Sequence, residues 1–373
     1  MNNRLWLFYP ENDIALAHGG ANFTAPPAAV KLRRSGEVLP IWMADADDRV
    51  LCNGVNERWL NEVTTAFGLK ADVWNHEDFN LAPTPWGWSE ASKRVFEKNG
   101  FSPNTLPTSE TLAKYRMMSH RRTAAEISRR VAASVNFPIW PAAVEVSARE
   151  ILHDMLRNRP MVVKAPWSSS GRGVTFVDPA HCDSAIQRLE GTIRKQGSVM
   201  VEEYAPGHFD FAMLFSCENG CVTYRGLSIF ATDAATGQYR GNVVDTQDNL
   251  EAILSKRLEC DKTESLRRAL AEAIEAIIAP EYDGPVGIDL FVTEQNGLRL
   301  VHVVESNLRW TMGFVALGLA RYVNNQAVFE IVPGDISASC KPVVHNGKLS
   351  SGSLALTPPG GDFSFILKIE NHT

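Results

Sequence analysis

Two apolar segments in the last third of the chain carry polar side chains where a buried strand normally has none. The first, GPVGIDLFV at 284–292, contains Asp289, and the second, LRLVHVVESN at 298–307, ends with Glu305 and Asn307. Side chains two residues apart in a strand point to the same face, so Glu305 and Asn307 share one. A charge inside an apolar strand costs free energy unless it is paired or binds a metal ion. The pattern therefore favours a functional site over an ordinary surface hairpin.

The turn between these segments determines how close the polar side chains lie. A turn at 295–297 that pairs Phe291 with Arg299 places Asp289 opposite Val301. Contact between Asp289 and Glu305 then requires twisted strands or a staggered register. Convergent oxygen ligands suit Mg²⁺, which binds carboxylates and nucleotide phosphates and keeps some of its waters. The predicted metal ligands are Asp289, Glu305 and Asn307.

A lysine followed by a serine- and glycine-rich loop forms the second motif, VVKAPWSSSGRGV at 162–174. A short apolar strand delivers Lys164, and the loop offers backbone N–H and hydroxyl groups that suit polyphosphate oxygens. A surface turn of the same composition is the alternative, and the segment alone does not decide between them. The lysine precedes the glycines, so this is not a Walker A motif, and Gly-x-Gly-x-x-Gly is absent too.

A third motif, VMVEEYAPGH at 199–208, runs from an apolar strand into two carboxylates and a Pro-Gly turn. Backbone groups at such a strand end can bind an adenine edge, and a carboxylate can accept from its amino group. Taken by itself, the segment is better explained as a charged strand end.

Taken in chain order, the lysine and lid at 162–174, the two carboxylates and Pro-Gly turn at 199–208, and the acids at 284–307 with a following arginine resemble the ATP-grasp superfamily over about 108–315. The resemblance implies an α/β (α+β) fold in which two α+β subdomains clasp ATP, preceded by a small Rossmann-like domain. The expected domains are a pre-ATP-grasp domain at 1–107, a small lid subdomain at 108–200, a large subdomain with the magnesium site at 201–332, and a C-terminal extension at 333–373 without an assigned role.

The resemblance also implies roles for single residues. Lys164 contacts the nucleotide phosphates, and Arg309 places a cation on the transferring phosphoryl group. Glu202 accepts from the adenine amino group, with backbone contacts from Glu203 and Tyr204. The lid over the phosphates consists of Ser168, Ser169, Ser170, Gly171, Arg172 and Gly173.

Two positions depart from the superfamily's pattern. Phe209 stands seven residues after Glu202, where a ribose-binding acid is often found, so the next residue, Asp210, is the ribose candidate. The superfamily has a second phosphate-binding cation on the helix before the strand that carries Lys164. Lys114 is the preferred candidate for this position. The other basic candidates, for which a solvated helix face is the alternative, are Arg116, Arg121 and Arg122.

The first strand is followed by a polar loop, YPENDIALAHGGANFTAPP at 9–27. Open α/β sheets bind ligands outside the carboxyl ends of their strands, so this loop could recognise an ammonium or hydroxyl group of a substrate. A turn network with Asn12 or Asp13 as a helix N-cap is an equally good interpretation. The substrate candidates are Glu11, Asn12, Asp13, His18 and Asn22.

Periodicity and turn residues predict the local structure. The segment 81–87 (LAPTPWG) is predicted to be a loop because it contains Pro83 and Pro85, and Ser89 is the predicted N-cap of the next helix. Cys217 and Cys221 flank a predicted hairpin turn. The expected strands of the N-terminal unit are 5–9, 38–42 and 71–74, and the longest expected helices are 108–131 and 264–278.

Composition excludes several classes of protein. The net charge of −6 argues against a general nucleic-acid binder, and no apolar run reaches the length of a membrane span. Six scattered cysteines indicate reduced thiols in a cytoplasmic protein. The scattered histidines, including His302, are interpreted as structural, because no credible Ser-His-Asp or Cys-His set accompanies them.

The resemblance therefore implies an ATP- and Mg²⁺-dependent ligase that converts a carboxylate into an acyl phosphate and joins it to an amine, such as an amino acid or peptide. A carboxylase, a phosphotransferase and a nucleotide-binding module without turnover remain alternatives, ahead of a structural protein. The expected partners are a small-molecule carboxylate and an amine acceptor, without nucleic acid or membrane. The identity of both substrates, and whether the chain forms a homodimer, stay open.

Overall fold

The N-terminal unit is a parallel sheet with helices around it. In the computed structural model, which describes residues 3–168, 173–205, 207–233 and 238–369, its strand order is β3-β2-β1-β4. The strands are β1 (Arg4–Leu7), β2 (Arg49–Val50), β3 (Asp72–Val73) and β4 (Ala82–Pro85). The helices are α1 (Asn12–His18), α2 (Pro27–Gly36), α3 (Glu57–Phe67) and α4 (Glu90–Lys98). Ser89 caps α4 as predicted, in a reciprocal pair with Ser92.

Two sequence-based expectations for this unit were wrong. The predicted strand 38–42 is a 3-10 helix, Leu39–Trp42, whose second residue is Pro40; its fixed φ suits the start of a helical turn. The predicted loop 81–87 contains the edge strand β4. Its N–H groups bond β1 at alternate residues, for example from Trp86 to the Leu7 carbonyl at 2.7 Å. The prolines alternate with these bonded residues. Their missing N–H groups would point away from β1 at the edge of the sheet, so no ladder hydrogen bond is lost.

The segment after this unit forms two helices, where a single one was predicted: α5 (Ser109–Met118) and α6 (Arg122–Ser134). The break is caused by a tertiary contact, because the Arg121 N–H bonds the Pro166 carbonyl at 3.1 Å. Beyond α6 lies an antiparallel sheet of order β5-β8-β6-β7. Its elements are β5 (Val144–Val146), α7 (Arg149–Leu156), β6 (Met161–Lys164), β7 (Val174–Val177), α8 (Cys182–Gln196) and β8 (Val199–Glu203).

The four-stranded sheet buries one face against α7 and α8, with Val163 and Val201 in that core. Strand alternation turns the neighbouring residues Lys164 and Glu202 to the opposite face. Both side chains are buried there as well, so this second face is also covered.

An eight-stranded sheet, of order β13-β12-β9-β10-β11-β14-β18-β17, forms the rest of the molecule. Its earlier elements are β9 (Phe209–Glu218), β10 (Cys221–Thr232), β11 (Tyr239–Val244), α9 (Gln247–Ser255) and α10 (Cys260–Ile277). The later ones are β12 (Gly284–Gln295), β13 (Leu298–Asn307), α11 (Met312–Leu319), β14 (Ala327–Pro333), β17 (Ser353–Ala355) and β18 (Phe363–Ile369), with a separate hairpin of β15 (Val343–His345) and β16 (Lys348–Ser351). The hairpin predicted between Cys217 and Cys221 is confirmed, and both thiols are free.

The C-terminal stretch connects the large sheet to the N-terminal unit. Strand β18 pairs with β14, and its Phe365 ring packs against Phe8 of the N-terminal unit with centroids 5.9 Å apart. The Trp42 indole donates to the Leu356 carbonyl at 2.8 Å. The residues around these contacts share one hydrophobic core, so 333–369 stabilises the junction of two units. None of the described helices is long and apolar enough to cross a membrane.

This junction leaves no room for one extra methyl group at Gly36. A Cβ there would lie 2.7 Å from the Phe365 ring, so we expect Gly36→Ala to lower the free energy of unfolding by about 1–3 kcal/mol. The matched control is Gly191→Ala in α8, where a Cβ meets nothing within 4 Å and higher helix propensity should add about 0.5–1 kcal/mol. Urea unfolding of both variants measures the difference, and equal stabilities would contradict the packing described here.

Candidate active site

A bulge in the β12–β13 hairpin brings the two acids together. Asn296-Gly297 forms the turn, with φ of 53° and 74°, and Phe291 pairs with His302. The register then shifts, so that Asp289 lies directly opposite Glu305. The predicted pairing of Phe291 with Arg299 was therefore wrong, and the extra residue of the bulge supplies the stagger that contact between the acids requires.

The acids form a negatively charged cluster with Asn307. The Asn307 amide donates to Asp289 Oδ2 at 3.0 Å. Burial, together with the negative charge of Glu305, raises the pKa of Asp289 to about 7, against the lowering effect of Arg309, Asn307 and Arg121. A bound cation would offset the repulsion between the two carboxylates. Two carboxylates and an amide oxygen are also ligands that Mg²⁺ prefers, so the residues fit a magnesium ion.

Arg309 links this cluster to the N-terminal unit. Its Nε lies 2.9 Å from Asp13 Oδ2, and its Nη2 donates to Asn307 Oδ1 at 2.8 Å. Burial lowers the pKa of this guanidinium, but the charge and hydrogen bonds of Asp13 outweigh burial, so the net shift is upward. The arginine is therefore held as a cation beside the acids, with its orientation fixed from both sides.

A second arginine, Arg121, contacts the acids from the side of the lid. It is 7 % exposed, and its Nη2 lies 3.0 Å from Glu305 Oε1 and 3.1 Å from Ser168 Oγ. Lys114, the preferred phosphate contact in the sequence, lies on the exposed surface with its ammonium 2.9 Å from Glu281. The structure thus brings Arg121 to the cluster and leaves Lys114 outside it. The helix break before Arg121 orients this side chain, and periodicity alone does not reveal that break.

Lys164 lies on the same side of the four-stranded sheet as Glu202, and the two form an ion pair. His302 Nε2 approaches the other oxygen of Glu202 at 3.3 Å. Burial by itself raises the pKa of Glu202, but Lys164 and His302 together outweigh burial and lower it to about 2. The Glu202 carboxylate is thus occupied by protein partners on both oxygens. His302 was interpreted as structural, and only the register of β13 reveals its contact with this pair.

The remaining nucleotide candidates that the structure describes each contact protein partners. Glu203 pairs with Arg159 at 2.6 Å, and the Tyr204 ring packs edge-on against Phe176. Asp210 accepts from Thr232 Oγ1 at 2.6 Å. Of the predicted lid, Ser168 and Gly173 are placed by the structure, and Gly173 accepts from the Ala165 N–H at 2.8 Å. The lid candidates Ser169, Ser170, Gly171 and Arg172 lie outside the described residues.

The five substrate candidates of the first loop separate into two groups. Glu11 and Asn12 are buried and Asp13 is bound to Arg309, whereas His18 and Asn22 are exposed. The interpretation of Asn12 or Asp13 as the N-cap was wrong, because Glu11 is the N-cap of α1 and its side chain pairs with Arg33.

Asn12 packs tightly at the centre of the molecule. A Cβ on Gly87 would lie 2.8 Å from Asn12 Cγ and 2.9 Å from Arg309 Cβ. Among the described residues, the amide atoms of Asn12 and one oxygen of Glu11 have no hydrogen-bond partner. A small pocket opens near Asn12, between the N-terminal unit, the loop that follows β6 and the end of β13. Its lining residues are Asp13, Ser119, Trp167, Ser168, Glu305, Ser306, Asn307 and Leu308.

Solved structures share the fold of this protein over almost the whole chain. A biotin carboxylase from Campylobacter jejuni, in complex with a β,γ-ATP compound, matches with a TM-score of 0.53 and 15% identity, covering 98% of this chain and 86% of its own. N5-carboxyaminoimidazole synthetase from Staphylococcus aureus, complexed with ADP, has a TM-score of 0.51 and 11% identity over 99% of this chain and 93% of its own. The chain has the ATP-grasp fold.

A third ATP-grasp structure has the same extent of similarity. The biotin carboxylase domain dimer of 2-oxoglutarate carboxylase from Hydrogenobacter thermophilus, with MgADP, ADP and bicarbonate, matches with a TM-score of 0.50 and 13% identity, covering 98% of this chain and 86% of its own. No protein-family model matches the sequence, and a search of curated proteins finds no match. At these identities the likeness shows the ATP-grasp fold, and the chemistry must be argued from the site.

Proposed function

We propose that the chain is an ATP-dependent ligase that activates a carboxylate as an acyl phosphate and joins it to an amine. The observation that carries this proposal is the meeting of acids and cations between the two sheets. The acids provide a magnesium site, and the cations provide charge for phosphoryl oxygens. The acids are Asp289 and Glu305, and the cations beside them are Arg121 and Arg309. A third cation, Lys164, lies on the four-stranded sheet and pairs with Glu202.

The proposed cofactors are ATP and one or two Mg²⁺ ions. Asp289, Glu305 and Asn307 would hold the metal, which supplies charge to bridge and polarise phosphate oxygens. Arg121 contacts Glu305 and Ser168, so it lies between the metal site and the start of the lid. The ADP and MgADP complexes of the similar ATP-grasp structures support this assignment.

The proposed reaction has two steps. A substrate carboxylate oxygen attacks the γ-phosphorus of ATP, and the bond to the bridging oxygen breaks as ADP leaves. The amine nitrogen then attacks the acyl carbon, phosphate leaves, and the nitrogen loses a proton. Lys164, Arg121 and Arg309 offset the charge that develops on the transferring group, a stabilisation that fixed cations provide without reorganising. No side-chain nucleophile takes part.

The pocket lined by Asp13 and Glu305 is the proposed place for the carboxylate and its acceptor. It lies where α1 follows the carboxyl end of β1, the edge at which open α/β sheets bind ligands. Asp13 is engaged by Arg309, so it is better suited to orient that arginine than to bind an ammonium group itself.

A carboxylase is the second candidate, because two of the similar structures are biotin carboxylases and one contains bicarbonate. Bicarbonate would then be the carboxylate that attacks ATP, and the site residues would keep the same roles. A nucleotide-binding module without turnover is disfavoured by the complete set of acids and cations.

ADP release tests these proposals directly. The purified chain is incubated with ATP, Mg²⁺ and a panel of amino acids, small carboxylic acids, amines and bicarbonate. A carboxylate and an amine that together stimulate ADP release support the ligase, whereas release that needs bicarbonate supports the carboxylase. Nucleotide binding without turnover on any combination favours the non-catalytic module, and an absence of nucleotide binding contradicts all three.

Arg121 and Lys114 form a matched pair for testing the phosphate contact. We expect Arg121→Ala to weaken the binding of a non-hydrolysable ATP analogue by about 10- to 100-fold, the loss that follows from removing a bond to a charged group. Lys114→Ala should bind like the wild type, because its ammonium is exposed and bonded to Glu281. Calorimetric titration with Mg²⁺ present measures both. Weak binding by Lys114→Ala with normal binding by Arg121→Ala would instead assign the phosphate contact to Lys114.

A further inference from the structure

The buried pair of Lys164 and Glu202 has a third member from the other sheet. Lys164 and Glu202 belong to adjacent strands of the four-stranded sheet, whereas His302 belongs to β13 of the eight-stranded sheet. All three side chains are at most 7 % exposed. The contact of His302 with Glu202, at 3.3 Å, therefore crosses the cleft between the two sheets and is shielded from solvent.

The ring of His302 is held in place from its own sheet. Phe291, its partner across the β12–β13 hairpin, lies against it with ring centroids 4.7 Å apart. His208 stacks on Phe291 at 4.8 Å, and its Nε2 lies 3.3 Å from Asp210. This row of rings restricts the imidazole and keeps its Nε2 close to the carboxylate.

The pairing divides the two oxygens of Glu202 between two partners. Lys164 occupies Oε1 and His302 occupies Oε2, so the carboxylate cannot turn without losing one of them. An ammonium group has three donors, and one bond to Glu202 leaves two for an incoming phosphate. The position of the lysine in the cleft therefore depends on a residue of the opposite sheet.

We infer that His302 is a positioning residue for nucleotide binding, which fixes Glu202 across the cleft so that Glu202 presents Lys164 to the phosphates. This inference rests on the proposed nucleotide site. It assigns His302 no contact with the nucleotide, and it gives Glu202 a role in orienting Lys164 in addition to, or in place of, the adenine contact. The same link joins the two sheets at a fixed separation.

Binding of a non-hydrolysable ATP analogue with Mg²⁺ tests the inference on three variants of the full chain. We expect His302→Leu to weaken binding by about 10- to 100-fold, because the buried Glu202 carboxylate loses its close contact with the imidazole. His302→Gln should restore most of the affinity, since its amide NH2 group can approach the same carboxylate oxygen. His345→Leu is the control, because His345 is exposed and lies on the separate β15–β16 hairpin.

A double-mutant cycle separates positioning from a merely structural effect. If His302 acts through the lysine, His302→Leu should change affinity little once Lys164→Met is present. Additive effects of the two substitutions would overturn the inference, as would wild-type affinity of His302→Leu. Should the leucine variant fail to fold, as seen by thermal unfolding, His302→Asn takes its place in the cycle. Failure of the wild type and of His345→Leu to bind the analogue would instead overturn the proposed function.

Discussion

Asp289→Ala and Glu305→Ala are expected to abolish Mg²⁺-dependent ADP release, with a loss of at least about 10³-fold, while the fold is kept. The two carboxylates face each other across the β12–β13 bulge, and a metal ion bound there would contribute several kcal/mol of charge stabilisation to phosphoryl transfer. The measurement is the rate of ADP release at saturating Mg²⁺, together with thermal unfolding. Removal of Asp289 also removes a half-buried acid whose charge is disfavoured beside Glu305, so the melting temperature should not fall sharply.

The control for these two variants lies on β12, the strand that also carries Asp289. Glu294 is exposed near the end of β12, and Glu294→Ala should keep the wild-type rate. Asp289→Asn preserves the shape of the side chain and removes only the charge, so it should resemble Asp289→Ala in activity. Wild-type rates in either alanine variant would remove the metal assignment, because that assignment relies on both carboxylates as ligands.

Arg309→Lys is expected to lower kcat by about 10³-fold, the effect of arginines that stabilise transferring phosphoryl groups elsewhere. The guanidinium bonds Asp13 through Nε and Asn307 through Nη2, a fork that one ammonium group cannot reproduce. ATP affinity should change little, because the positive charge that these bonds hold in place acts mainly on charge that develops in the transition state. Arg299→Lys is the control, since Arg299 is exposed on the same strand.

The pairing with Asp13 makes a structural role the competing explanation for Arg309. A buried ion pair that loses one partner leaves an uncompensated charge and lowers stability. Thermal stability, ATP affinity and kcat are therefore measured on one preparation of each variant. A lowered melting temperature with normal kcat would assign Arg309 to the junction with the N-terminal unit, whereas a normal melting temperature with lost kcat assigns it to catalysis.

The sequence revealed the fold class because its signals are local and appear in a fixed order. Lys164 ends an apolar strand, and Glu305 and Asn307 end another, so strand alternation was enough to give each side chain its face. The hairpin at Cys217–Cys221 and the cap at Ser89 followed from turn and capping preferences. Each of these features depends on residues only a few positions apart.

The features that the sequence did not reveal depend on tertiary contacts. Arg121 reaches the acids because a bond to the Pro166 carbonyl breaks the helix, and that carbonyl lies 45 positions further along the chain. The bulge opposite Asp289 has no turn residue to mark it. His302 appeared structural because its partner, Glu202, belongs to a different sheet.

The contact between Phe8 and Phe365 has a consequence for the order of events during synthesis. The N-terminal unit is made well before strand β18, which forms one wall of its core. Domains generally fold as they emerge, N-terminal first. Here the first unit cannot complete its core until β18 has also been synthesised. The apolar residues that β18 covers therefore stay partly exposed until then.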